Sequence, residues 1–324
     1  MSSRPLSVRE MIYGGISLAR YLATGGLFNI NLEVTKRCNA RCDFCDYWKE
    51  PRGIELDDYV PVIKHLKPLS VSLTGGEPLL RKDLVYIVRS IRKSFGFIYV
   101  SLITNGALLT VEKGMELWEA GLDEFSISLD YMDGRQDEER GIKGLTKHIL
   151  EVAPQLAKRG VNMCFNTVIK RRNYKDLPLF ARYVHSLGIK LSFSTYNGWR
   201  VGNLEYTIPD TELSELKEVI EKLKQIRDEL GHIETRDYYF DRIPEFFQKG
   251  GIPGCTAGIN WVQVTPDGYI KRCSDFPKRC HWSEWTKKTF KPTDCTRCWY
   301  SCRGAAQEPF TFKRLVEMAR ETLE

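Results

Sequence analysis

The sequence predicts an α/β fold in which six parallel strands, joined by helical crossovers, curl into an incompletely closed barrel, with a small cysteine-rich module behind it. Three observations carry this reading. From residue 28 a short alternating segment and a helical stretch repeat about every 25 to 35 residues. The two faces of the alternating segments differ, one aliphatic and the other small and polar. The ten cysteines are uneven: three near the start, one in the middle, and six between 255 and 302.

Strands are expected at 28–34, 70–75, 98–105, 124–130, 162–169 and 191–197, and helices at 57–68, 82–95, 110–120, 144–159 and 174–187. In the first strand Phe28, Ile30, Leu32 and Val34 share one face, with Asn29, Asn31 and Glu33 on the other. The fourth sets Phe125, Ile127 and Leu129 opposite Ser126, Ser128 and Asp130, and the fifth puts Asn162, Cys164 and Asn166 on one face. A doubly wound sheet buries both faces and gives near-continuous apolar strands. A closed barrel fills its interior with Val, Ile and Leu. A polar inner phase fits strands wrapped around a cavity for a polar cofactor and a substrate. The expected architecture is therefore a partial (βα)6 TIM-like barrel with its ligand site at the C-terminal strand ends.

At 324 residues, 42% hydrophobic and 28% charged, the chain has the composition of an ordinary globular protein with a full-sized core. The cysteines are grouped as in metal sites, not as in a secreted disulfide scaffold, which favours a reducing cytoplasm. There is no run of about 18 apolar residues and no signal-peptide h-region, so neither a transmembrane segment nor secretion is expected. The net charge of +6 is dispersed, and Lys170-Arg171-Arg172 is too short for a nucleic-acid patch; no stable nucleic-acid partner is expected.

Residues 7–23 read as a helix entered through a capping box, Ser7 with Glu10. Met11, Ile12, Ile16, Leu18, Ala19 and Leu22 give it one apolar face, and Arg9 and Arg20 its charges. Such a helix either closes one end of the fold or touches a membrane surface or a lipid substrate. Peripheral membrane contact is thus the second placement beside the cytoplasm.

The chemistry begins at Cys38, Cys42 and Cys45, spaced C-x3-C-x2-C just after the first strand. Three thiolates can each hold one iron of a 4Fe-4S cube, which usually takes four cysteines, so one iron stays open to an amine and a carboxylate. A zinc site or a redox CxxC is the plainer alternative, though zinc wants a fourth ligand nearby. With the aromatic beside Cys45, the motif resembles the radical SAM superfamily. The resemblance covers about the first 200 residues and implies S-adenosylmethionine as the ligand of the open iron.

It also implies roles at the strand ends. Thr74-Gly75-Gly76-Glu77-Pro78 closes the second strand; the glycines admit a close backbone approach to a ligand, and Gly75, Gly76 and Glu77 match the family's contact to the methionine amino group. Asn105, Ser128, Asp130 and Asn166 match positions near the adenosine, ribose or methionine carboxylate. By itself Asn105 also reads as a turn residue. Cys164 shares the inner phase of Asn166 and is either a hydrogen-atom donor or a small buried hydrophobe.

Beyond the barrel, Asp210 opens an amphipathic helix bearing Leu213, Leu216, Val219, Ile220, Leu223, Ile226 and Leu230. Cys255-x12-Gly-x4-Cys273 follows, its centre a hairpin with a Pro-Asp-Gly turn, and then Cys295-x2-Cys298-x3-Cys302. Four thiolates brought together here can hold an auxiliary 4Fe-4S cluster; a zinc ribbon is the rival. The pattern resembles SPASM and twitch modules, although such modules as a rule use seven cysteines and this region has six. Cys255, Cys273, Cys295 and Cys298 are the expected ligands, Cys302 is a substitute, and Cys280 is either spare or part of an incomplete second site. Trp282, Trp285, Trp299 and Tyr300 shield the cluster or line a groove. The expected divisions are 1–27, N-terminal helix; 28–205, barrel; 206–250, helical linker; and 251–324, auxiliary module with a closing helix at 310–323.

The function expected is that of a radical SAM enzyme, with Cys38, Cys42 and Cys45 at its catalytic cluster. S-adenosylmethionine would be cleaved reductively to a 5'-deoxyadenosyl radical that takes hydrogen from a substrate carbon, with a ferredoxin or flavodoxin as electron donor. An auxiliary cluster favours an oxidative outcome, a dehydrogenation or a crosslink, on a peptide, small metabolite or lipid. About 27 residues before the barrel are too few for a leader-binding domain. The alternatives are an iron-sulfur electron carrier, which leaves Gly75, Gly76 and Glu77 unexplained, and a zinc-dependent nucleic-acid binder.

Overall fold

The computed structural model describes residues 6–311 and Arg314. Its core is a sheet of nine strands: β1 (Asn29–Thr35), β2 (Ser70–Gly75), β3 (Tyr99–Thr104), β4 (Glu124–Ser128), β5 (Met163–Ile169), β6 (Lys190–Thr195), β7 (Trp261–Val264), β8 (Tyr269–Lys271) and β9 (Lys278–His281). Their order is β6-β5-β4-β3-β2-β1-β7-β8-β9. Strands β1 to β6 pair in parallel with their neighbours and do not close on themselves. Partial-barrel architecture and alternating faces agree: Ile30, Leu32 and Val34 are fully buried against the helices. On the inner face Asn29 reaches Ser70, and Ser101 reaches Ser72.

The helices are α1 (Val8–Thr24), α2 (Val60–Leu66), α3 (Leu84–Ser94), α4 (Val111–Glu119), α5 (Arg135–Arg140), α6 (Leu145–Lys158), α7 (Leu177–Ser186), α8 (Leu213–Leu230), α9 (Asp237–Phe240), α10 (Arg242–Lys249) and α11 (Ser301–Gln307). The capping box of α1 forms, Ser7 accepting from the Glu10 N–H and donating its own N–H to the Glu10 carboxylate at 2.9 Å. Yet α1 buries no residue fully, and of its apolar stripe only Leu18 is half-buried while Met11, Ile12, Ile16, Ala19 and Leu22 are exposed. Helix α8 does bury Leu213, Leu216, Val219, Ile220, Leu223 and Ile226. The short helix α5 and strand β9 were not expected. The closing helix expected at 310–323 falls almost wholly outside the described residues.

The Pro-Asp-Gly hairpin forms between β7 and β8, with Gly268 at φ 82° and its N–H donating to the Thr265 carbonyl at 2.9 Å. Its placement is new: β7 pairs in parallel with β1, Leu32 opposite Val264, so the barrel sheet runs on into the cysteine-rich region.

Candidate active site

Strand β1 feeds the loop 36–46, which carries Cys38, Cys42 and Cys45. The loop hangs between two supports. On one side the Gly76 and Glu77 N–H groups donate to the Thr35 and Arg37 carbonyls at 2.8 and 2.7 Å. On the other, the Arg41 and Asp43 N–H groups donate to the carbonyls of Arg140 and Glu139, at the end of α5, at 2.9 and 3.2 Å. A Cβ on Gly75 would lie 2.3 Å from the Thr35 carbonyl oxygen, and one on Gly76 only 2.1 Å from that of Arg37. The close approach these glycines permit includes one to the backbone of Thr35 and Arg37, at the start of the cysteine loop.

The carboxylate of Glu77 is buried and already accepts three bonds: from the Leu79 N–H at 3.0 Å, the Thr104 hydroxyl at 2.7 Å and the Asn105 N–H at 2.8 Å. It clamps the end of β2 to the end of β3. Burial raises its pKa, and those three donors oppose the rise. The Asn105 side-chain amide donates to Asn39 of the cysteine loop at 2.8 Å. Ser128 and Asn166 lie directly opposite each other on β4 and β5, both half-buried on the inner face.

Asp130 is held by the chain's own groups. It is 2% exposed, and its carboxylate accepts from Arg140 at 2.9 Å, Lys170 at 3.2 Å and the Val168 N–H at 2.8 Å. Burial works against the charged carboxylate, but Lys170 and Arg140 prevail and hold its pKa below the usual range. Both cations share Oδ2 and the Val168 N–H takes Oδ1, so Asp130 ties the end of α5 to the end of β5. Fully buried Lys170 also pairs with Glu139 and sits 4.7 Å from the ring of Phe44, between Cys42 and Cys45. Lys170→Met would take the buried ammonium from Glu139 and leave Asp130 with Arg140 as its one cation. It should lower stability by about 3–5 kcal/mol, measured by denaturant unfolding of the iron-loaded protein.

Cys164 is buried, with its sulfur 3.5 Å from the Ser192 hydroxyl and 3.7 Å from Glu234. Burial first, and then the charges of Glu234 and Glu124, push its thiol far up, as suits a small packed residue. Cys164 aligns with Lys190 at the start of β6 and so lies near the opposite end of the barrel from the cysteine loop.

Residues that carried no local signal complete the site. Arg200, in the loop after β6, donates to Asp46 at 2.6 Å and to Asp275 at 3.3 Å, and lies 4.2 Å from the centre of the Tyr47 ring. Asp46 follows Cys45 and Asp275 lies two residues beyond Cys273, so one guanidinium straps the two cysteine regions together. Glu33, fully buried, accepts from Tyr47 at 2.7 Å and from Gln263 of β7. Replacing Arg200 by Gln should speed the loss of iron to a chelator by roughly tenfold, followed by absorbance, because a charge-assisted strap on the loop is lost.

In the C-terminal region Cys255, Cys273 and Cys298 are buried, and Cys295 and Cys302 pack around them. Cys298 and Cys302 both feel the charge of Cys255, and Cys302 that of Cys298 also; Cys302 is thus as well placed as Cys295. Arg303, fully buried, donates to the Cys298 carbonyl at 2.5 Å. Cys280 stands apart, on β9 opposite Ile270 and against the main core. Trp299 stacks on Tyr239 at 5.2 Å, and Asn197 donates to the Tyr300 hydroxyl at 2.9 Å. Trp285 and Trp282 pack beside α2 near His65.

These residues fit iron-sulfur clusters. A cube puts each thiolate on a separate iron, and each cysteine region offers at least three thiols from one neighbourhood. Burial raises every thiol of the first loop, Cys42 to about 11, and raises Cys298 and Cys302 to about 12. Bound cations would replace the protons. Buried Arg140 beside Cys42, Arg200 beside Cys45 and Arg303 beside Cys298 oppose the thiolate charge, and the Arg140 Nε is buried with no partner.

Residues 32–184 match the model of the radical SAM superfamily. A probable GTP 3',8-cyclase of Saccharolobus islandicus is 31% identical over 264 residues, 76% of this chain and 82% of that protein. The chain belongs to the radical SAM superfamily. A PqqA peptide cyclase of Gluconobacter oxydans is 30% identical over 255 residues, 74% of this chain and 68% of that one. Among solved structures, Streptococcus suis SuiB bound to S-adenosylmethionine shares the radical SAM fold at a TM-score of 0.65 and 16% identity, over 85% of this chain and 68% of its own. The structure of anSMEcpe with AdoMet and the Cp18Cys peptide aligns at 0.61 and 18%, over 82% and 79%. The protein is a radical SAM enzyme whose cofactors are a 4Fe-4S cluster and S-adenosylmethionine, with C-terminal cysteines that fit an auxiliary cluster.

Proposed function

We propose that this enzyme forms a new bond within an organic substrate, or dehydrogenates it, in the mouth of the barrel at the C-terminal ends of β1 to β6. When bound, the cluster and S-adenosylmethionine supply a radical able to take hydrogen from an unactivated carbon. Cys38, Cys42 and Cys45 would hold three irons. Gly75 and Gly76 keep the loop seated, and Glu77 locks two strand ends. Ser128 and Asn166, half-buried and side by side, would meet the nucleoside, and Arg140 keeps a buried N–H for an acceptor in the same pocket.

The observation that carries the reading is the union of the cysteine loop with the Gly75-Gly76 strand end, hydrogen-bonded backbone to backbone and passable only to glycine. An electron carrier with no small-molecule ligand has no need of a half-open polar rim beside that loop. The oxidative outcome rests on the C-terminal cysteines: a second cluster there, strapped by Arg200, would accept the electron left on the substrate. The names of the relatives, cyclases of a nucleotide and of a peptide, agree with ring formation as the reaction type. The electron donor would be a ferredoxin or flavodoxin.

Anaerobically reconstituted protein, reduced with dithionite and given S-adenosylmethionine, should release 5'-deoxyadenosine and methionine. Intact clusters that cleave nothing would sink the proposal.

A further inference from the structure

Helix α1 is amphipathic the wrong way round. A surface helix of a globular protein normally turns its apolar stripe to the core and its charges to water. Here the half-buried face carries Glu10, Gly14, Ser17, Leu18 and Tyr21, and most of the aliphatic side chains lie elsewhere. A Cβ on Gly14 would lie 3.1 Å from the Phe97 ring, Glu10 turns towards Arg92 at 3.9 Å, and Tyr21 meets Phe28 and Phe310 at 6.3 and 5.4 Å between ring centres. The outward face carries Val8, Met11, Ile12, Ile16, Ala19 and Leu22, spaced as one continuous stripe, with Ile12 58% and Ile16 60% exposed.

The charges that α1 itself places beside this stripe have one sign. Between residues 6 and 26 the single acid is Glu10, on the packing face; the cations Arg9 and Arg20 flank the stripe next to Ile16. At the far end of the helix Lys287 donates to the Thr24 and Gly25 carbonyls at 2.8 and 3.2 Å, beside exposed Lys288, and Arg20 reaches the carbonyl of exposed Lys67 at 2.9 Å. An apolar stripe bordered by cations matches a surface that is apolar below and anionic at its rim.

We infer that α1 is an interfacial helix that seats the enzyme on an anionic lipid surface. Its stripe enters the acyl boundary, and Arg9, Arg20, Lys287 and Lys288 meet the phosphates. The described helices include none long and apolar enough to cross a membrane, so the contact is peripheral. Its position also bears on the substrate. Helix α1 packs on Gly96 and Phe97, just before β3 begins, while the cysteine loop sits where β1 ends. The bilayer lies under the entry ends of the strands and the catalytic mouth opens towards water, which favours a soluble substrate or a lipid head group over an acyl chain.

The test is flotation of the full-length, iron-loaded protein with vesicles of phosphatidylcholine alone or of equal parts phosphatidylcholine and phosphatidylglycerol. The expected result is binding to the anionic vesicles, weakening with added salt, and little to phosphatidylcholine. The pair Ile12→Asp and Ile16→Asp should cut partitioning by on the order of a hundredfold or more, while circular dichroism, iron content and S-adenosylmethionine cleavage stay as in the parent. Arg9→Glu should reduce binding to anionic vesicles alone. No flotation of the parent, or equal flotation of the Asp pair, would overturn the inference. So would a dimer that the Asp pair dissolves in the absence of vesicle binding, since the stripe would then belong to a second copy.

Discussion

Replacing Cys38, Cys42 and Cys45 together by alanine should remove about four irons from the anaerobic protein, leave about four behind, and abolish release of 5'-deoxyadenosine. The three sulfurs belong to one loop, and the C-terminal set forms a separate buried group around Cys255 and Cys273. The remaining iron measures that second set directly. A variant that keeps all its iron would show that the first loop holds no cube, and one that loses all of it would show that the two centres stand or fall together. The fold should survive, because the loop's thiols add little to a core built from Ile30, Leu32, Val34, Val71, Leu73 and their neighbours.

The second large effect comes from a residue without a functional group. Gly76→Ala would place a methyl carbon 2.1 Å from the Arg37 carbonyl oxygen and 2.6 Å from its carbon, both of them backbone atoms that no rotamer change can move. The loop must shift away from β2, which breaks the bonds from Gly76 and Glu77 to Thr35 and Arg37; the cost is roughly 3 kcal/mol or more. The expected phenotype is loss of the first cluster with the second retained, close to that of the triple cysteine variant. Gly15→Ala, on α1 with no atom near its added carbon, is the control and should retain both. Normal iron and normal cleavage in Gly76→Ala would show that the loop tolerates a wider separation from the strand end than the geometry allows.

The six barrel strands and most of their helices were legible because alternation is a local signal, and so was the hairpin, through its Pro-Asp-Gly turn. Helix α5 was not: Arg135-Gln136-Asp137-Glu138-Glu139-Arg140 has no apolar period, and it is held by tertiary partners such as Asp130 and Lys170. Strand β9 is short, exposed and rich in basic residues, and its pairing with β8 supplies what its composition does not. Asp130 was assigned by extending the alternation of β4 beyond Ser128, where the strand ends and the chain turns into the ion-pair network. Glu33 with Gln263, and Arg200 with Asp46 and Asp275, are contacts between segments far apart in sequence, which periodicity cannot reveal. The glycines of the second strand end were legible as a place of close approach, but that the chain's own backbone at Thr35 and Arg37 comes so near is a contact between distant segments.

The pairing of β7 with β1 has a mechanical consequence. One of these strands runs directly into the first cysteine loop and the other turns through β8 into Cys273, so both metal positions ride on adjacent members of a single hydrogen-bonded ladder. Neither can swing relative to the other without unzipping that ladder. The spacing of the two cysteine regions is therefore set by the sheet during folding, and clusters bound there would keep it from one turnover to the next.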